Sequence, residues 1–119
     1  MVFITGGAFQ GKLEFAIEKY GLSEQEIFEC TEDSEPAWGS RCVTHLERYV
    51  YYCVTRGVIP EDRFQEEAVL IGDDIFCGVV PIDVTERAWR EESGRFYGRI
   101  SKRSDKVWRL FCGLPLELK

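Results

Sequence analysis

The chain is poor in the residues that hold transition metals. It has one histidine, and its five cysteines (Cys30, Cys42, Cys53, Cys77, Cys112) are scattered without a C-x-x-C pair. Structural zinc needs close ligand pairs, so zinc–thiolate chemistry is set aside. An odd number of scattered thiols also makes no disulfide framework. It reads as reduced cysteine in a cytoplasmic protein, buried as small hydrophobes. Positive charge is short as well: 15 Lys and Arg stand against 21 Asp and Glu, a net charge of −6. No cationic excess exists to neutralise a phosphate backbone, which argues against general nucleic-acid binding. No apolar run approaches ~18 residues, so no membrane span is expected. The apolar start stops at Thr5 and lacks a basic region, unlike a secretion signal. Repeats, low-complexity tracts and linkers are absent too.

What remains is an ordinary globular balance, 45% hydrophobic and 30% charged over 119 residues, enough for one domain spanning 1–119. Its most informative stretch comes first. Val2 to Thr5 reads as a short buried strand, followed by Gly6-Gly7-Ala8-Phe9-Gln10-Gly11-Lys12-Leu13. Gly6, Gly11 and Lys12 fit the phosphate-loop pattern G-x-x-x-x-G-K. The pattern has a mechanism: glycines let successive N–H groups turn toward a polyphosphate, and the next helix offers its positive end. Lysine reaches the outer phosphates. Leu13 stands where a Ser or Thr hydroxyl would hold Mg²⁺. The alternative reading is a plain glycine turn between strand and helix, but that context is also what the motif requires. Residues 6–13 are therefore the candidate nucleotide-binding segment, for Mg²⁺ with ATP or GTP.

Farther along, Lys12 to Tyr20 predicts a helix with Leu13, Ala16, Ile17 and Tyr20 on one face and Gly21 closing it. Glu26 to Cys30 is a weak strand, and the acidic stretch 31–40 is a surface loop. From Cys42 the pattern turns helical, with Val43, Leu46, Val50, Cys53 and Val54 at helical offsets and Gly57 and Pro60 as stops. Glu61 to Glu67 is read as one or two further turns. Ala68 to Gly72 is a compact apolar strand meeting Asp73 and Asp74. A long helix over 84–103 carries Trp89, Phe96, Tyr97 and Ile100 on one stripe. Lys106 to Cys112 is a strand, turned by Gly113 into a hairpin with Leu116 to Leu118. Alternating strands and helices predict an α/β sheet with helices on both faces.

Several side chains are candidates for chemistry. Asp73 and Asp74, at a strand end, suit Mg²⁺ or the orientation of an attacking hydroxyl; the alternative is a solvated strand terminus. Arg90, Arg95 and Arg99 suit phosphate clamps, or salt bridges with Glu86, Glu91 and Glu92. Tyr49, Tyr51, Tyr52 and Trp89 read as core or subunit contacts. His45 reads as a partly exposed helix histidine.

The C-terminal half adds a resemblance. D-D-I-F-C-G-V-V-P (73–81), R-E-E-S-G-R (90–95) and S-D-K-V-W-R-L-F-C-G (104–113), with T-G-G-x-x-x-G-K (5–12), strongly resemble the bifunctional adenosylcobinamide kinase / adenosylcobinamide-phosphate guanylyltransferase family. The match is collinear over 1–21 and 68–119. It implies a P-loop NTPase-like domain closed by an antiparallel hairpin and a homotrimer. It also implies phosphoryl transfer from a nucleoside triphosphate to the aminopropanol hydroxyl of a corrinoid, in cobalamin biosynthesis. Arg95 falls within the family's G-R signature, and a family histidine between arginines accepts GMP, which implies that role for His45. Leu13, Asp74, Phe76, Tyr97 and Gly98 depart from the family pattern, and the middle is shorter. Guanylyl transfer is therefore not expected, and the alternative is a degenerate nucleotide- or corrinoid-binding subunit.

Overall fold

The computed structural model describes residues 1–76 and 82–119. The candidate positions Cys77, Gly78, Val79, Val80 and Pro81 lie outside the described residues, and with them the G-V-V-P part of the resemblance. Six strands form one sheet in the order β2-β3-β4-β1-β5-β6. These are β1 (Val2–Gly6), β2 (Ile27–Glu29), β3 (Cys42–Thr44), β4 (Val69–Asp73), β5 (Lys106–Phe111) and β6 (Leu114–Glu117). All neighbours run parallel except the β5–β6 pair. Among the described residues the α-helices are α1 (Lys12–Tyr20), α2 (Leu46–Arg56) and α3 (Val84–Arg103). The expected α/β class, the mostly parallel sheet and the terminal hairpin are present.

Alternation along the strands sorts the core into two layers. Phe3, Val43, Leu70 and Val107 face α2 and α3, where Leu46, Val50, Phe96 and Ile100 are buried with them. Ile4, Cys42, Val69, Ile71 and Leu110 face the opposite side, against Ala16 and Leu13 of α1. Cys42, Val43 and Thr44 are all buried, as a strand covered on both faces should be.

That strand corrects the sequence reading. The helical pattern of the sequence reaches back to Cys42, but α2 begins only at Leu46, after His45 turns the chain at φ 58 and ψ 48. A three-residue strand is too short to show its own period, and Val43 happens to fall at a helical offset from Leu46 and Val50. Residues 61–67 form no helix either; this segment packs through Phe64, 3% exposed, and the Glu61 N–H donates to the Tyr49 hydroxyl at 2.9 Å. Helices α1 and α3 begin and end where the pattern places them. Asp73 closes β4 rather than following it, and β6 starts at Leu114, two residues before the expected Leu116. Among the described residues no helix is long and apolar enough to cross a membrane.

The connections decide where a ligand fits. From β1 the chain enters α1 on one face, whereas from its neighbour β4 it proceeds to α3 on the other. Adjacent strands that send their helices to opposite faces leave a crevice at their carboxyl ends. Gly6 and Asp73, paired in register, stand at that point.

Candidate functional site

The glycine loop leaves β1 through Gly6, where close approach forbids any side chain: an added Cβ would meet the Leu110 carbonyl oxygen at 2.5 Å. Phe9 and Gly11 are left-handed, at φ 60 and 84. The far side of the loop is pinned to the β5–β6 turn. The Gln10 carbonyl accepts the Gly113 N–H at 3.2 Å, and its side-chain oxygen accepts the Cys112 N–H. Among the described residues, Gln10 turns back on Gly7, and no hydrogen bond to a protein acceptor is made by the backbone N–H groups of Ala8, Phe9, Gly11, Lys12 and Leu13. Those donors, at the start of α1, are available to an anion.

Lys12 is only 6% exposed. Its Nζ donates to the Gly7 carbonyl at 2.6 Å and pairs with Asp73 Oδ1 at 2.9 Å. Ammonium, loop and strand-end carboxylate thus meet above the switch point. They border a cleft of about 690 Å³ lined by Ala8 to Glu14, Glu29, Thr44, His45, Arg48 and Asp73. Leu13 lines it where a hydroxyl would ligate metal.

The two aspartates diverge. Asp73 follows Val69 and Ile71 onto the α1 side, whereas Asp74 continues the Leu70 side. Asp74 lies 3.7 Å from Arg109, and it borders a separate hollow of about 250 Å³ with Phe76 and Tyr97. A shared Asp73–Asp74 metal site is not what this strand end provides. Beside Asp73 stand other donors instead: ligand atoms of His45, Glu47 and Asp73 all lie within 4.8 Å of one another.

His45 lines the cleft from the elbow between β3 and α2. Its Nδ1 is 2.9 Å from Glu47 Oε2, and its Nε2 is 3.5 Å from Glu29 Oε1. Glu47, 5% exposed, uses its other oxygen to accept the Asp73 N–H at 2.8 Å. The hydrogen bond to Glu47 raises His45 above the ordinary imidazole range, against the opposing effect of partial burial. The Glu47 backbone is itself fixed, since Trp89 Nε1 donates to its carbonyl at 2.7 Å. Also from α3, the Tyr97 hydroxyl donates to the Asp73 carbonyl at 2.8 Å. Tyr97 approaches so closely that a Cβ on Gly72 would stand 2.4 Å from its oxygen. Burial, reinforced by Glu47 and Asp73, keeps that phenol protonated, its pKa well above 10.0.

The arginines of α3 are spent elsewhere. Arg95 pairs with Glu92 at 2.5 Å and with Glu91 at 4.0 Å, and it does not line the cleft. Arg90 donates to the Phe76 carbonyl and Arg99 to the Pro60 carbonyl. Glu47 and Tyr97 are the site residues that sequence reasoning missed. A signal existed for Glu47: position 47 falls at an offset of four from Val43 and three from Val50, inside the apolar stripe.

No protein-family model matches this chain, and no curated protein matches it.

Proposed function

We propose that the cleft binds a nucleoside triphosphate by its phosphate tail and transfers the terminal phosphoryl group to an acceptor hydroxyl. The observation carrying this reading is Lys12: a nearly buried ammonium beside Asp73, at the mouth of a loop whose N–H groups at Ala8, Phe9, Gly11, Lys12 and Leu13 have no protein acceptor among the described residues. Phosphoryl transfer needs little beyond positioning and charge stabilisation, and both are supplied by such a loop. The resemblance of residues 5–12, 73–81 and 104–113 to the adenosylcobinamide kinase family names the acceptor as a corrinoid aminopropanol hydroxyl, in a cytoplasmic, homotrimeric protein of cobalamin biosynthesis.

Mg²⁺ carried by ATP or GTP fits this cleft through Asp73, with Glu47 and His45 as neighbouring donors, and not through Asp74. When bound, it neutralises charge on the phosphate oxygens. Lys12 gives up Asp73 and Gly7 for the outer phosphates, and the loop amides hold the inner ones.

A second reading is favoured by Leu13: a family member that binds a nucleotide or corrinoid and catalyses nothing. Radiolabelled ATP or GTP with adenosylcobinamide and Mg²⁺ decides between them. Label on the corrinoid supports the kinase; nucleotide binding without transfer leaves the binding subunit.

A further inference from the structure

We infer that the acceptor occupies the β2–β3 half of the cleft and is an uncharged or cationic alcohol with an apolar body; this rests on the transfer reading above. Side chains along the strand ends set the direction. From Lys12 the contacts run 2.9 Å to Asp73 at the end of β4, then 4.0 Å to His45 after β3. A further 3.5 Å leads from His45 to Glu29 at the end of β2. The lysine meets the outer phosphates, so the space past Asp73 lies beyond the terminal phosphoryl group, where an in-line nucleophile stands. On the opposite side Gln10 pins the loop to the β5–β6 turn, and among the described residues none from β5 or β6 lines the cleft.

Two properties of this half define what it takes. One wall is apolar: Ile17 of α1, 38% exposed, and Ile27 of β2, half-buried, both line it. Covering them with an apolar ligand face removes that surface from water. The rim is acidic. Glu14, Glu24 and Glu29 line the cleft against Arg48, which already lies 3.4 Å from Glu29. Lys12 and His45 have Asp73 and Glu47 as partners. A phosphate or carboxylate on the acceptor would meet like charge there, without an unpaired arginine among the described lining residues to clamp it. Amide or ammonium groups would instead find hydrogen-bond acceptors. In the transfer, the acceptor oxygen bonds to the terminal phosphorus and its proton passes to water. The bond from that phosphorus to the bridging oxygen breaks, and the electron pair leaves with the nucleoside diphosphate.

Two variants of the full-length protein test this, Ile17→Glu and Glu24→Lys, both at exposed positions. Calorimetry reads Mg·ATP binding, and then adenosylcobinamide binding to protein loaded with a non-hydrolysable Mg·ATP analogue. Adenosylcobinamide should bind the loaded wild type 1:1, about tenfold or more weaker in Ile17→Glu and about threefold or more weaker in Glu24→Lys. Mg·ATP affinity should change less than about threefold in both. With labelled Mg·ATP, the wild type should transfer nothing to AMP, CMP, GMP or UMP. Label on any of these monophosphates would overturn the acceptor class. Mg·ATP affinity about tenfold weaker in Ile17→Glu would place the nucleoside in this half and overturn the subsite. Equal adenosylcobinamide affinity in all three proteins, or none in the loaded wild type, would do the same while leaving the nucleotide site standing. No nucleotide binding by the wild type would overturn the transfer reading and the subsite together.

Discussion

Lys12 and Asp73 form an ion pair of 2.9 Å between side chains that are 6% and 21% exposed. Their partners explain why the contact is unequal. Lys12 is the first residue of α1, and among the described residues its other acceptor is the Gly7 carbonyl. Asp73 ends β4, with its backbone held by Glu47 and Tyr97. Removing the carboxylate strands a nearly buried ammonium, whereas removing the ammonium leaves a carboxylate that water still reaches. Asp73→Asn should therefore destabilise the fold by about 1–3 kcal/mol, more than Lys12→Met does. Urea denaturation checks the order, and the double variant should recover part of the Asp73→Asn loss.

The elbow at His45 makes a second prediction. Its left-handed backbone is unfavourable for histidine and easy for glycine. His45→Gly should leave stability unchanged or gain up to about 1 kcal/mol, offset by the loss of the Glu47 contact. Thermal unfolding reads this directly. A loss above about 2 kcal/mol would mean that the imidazole supports the fold rather than the cleft.

Thiol chemistry supplies a third. Burial pushes Cys30 and Cys42 up to about 12, and burial also raises Cys53. At pH 8, well below those values, these groups stay thiols, and the thiolate is the nucleophile. Cys112 lies exposed on the β5–β6 turn, contrary to the expectation that the cysteines are buried. Native protein treated with a disulfide reagent should show a fast phase, and Cys112→Ser should remove one equivalent from it. Denaturant should release the slow thiols. Since Gly113 and Cys112 donate to Gln10, a bulky adduct at Cys112 should also weaken nucleotide binding.

The sequence carried the frame well where elements are long or sharply punctuated. Twenty residues of α3 held their stripe, with Phe96 and Ile100 fully buried, and Gly11 and Gly21 bracket α1 at both ends. β3 was hidden because three residues cannot display a period and because a left-handed histidine, unlike a glycine, does not advertise a turn. The site was legible in part. Lys12 and Asp73 belong together, as motif and strand end imply. Asp74 parted from Asp73 because neighbouring strand residues point to opposite faces, a geometric fact readable once β4 runs through Asp73. Arg95 was drawn in by a signature and is held instead by Glu91 and Glu92, one turn away on its own helix. His45 reached the cleft not as a helix-face residue but as the elbow preceding one, and Glu47 joined it from a position that looked apolar.

Calorimetric titration of the full-length protein with Mg·ATP and Mg·GTP tests the account most directly. Wild-type protein should bind at least one of them with a 1:1 stoichiometry. Lys12→Ala should weaken that binding about tenfold or more while keeping its native circular dichroism. Heatless titrations with both nucleotides, or equal affinity in wild type and Lys12→Ala, would contradict it.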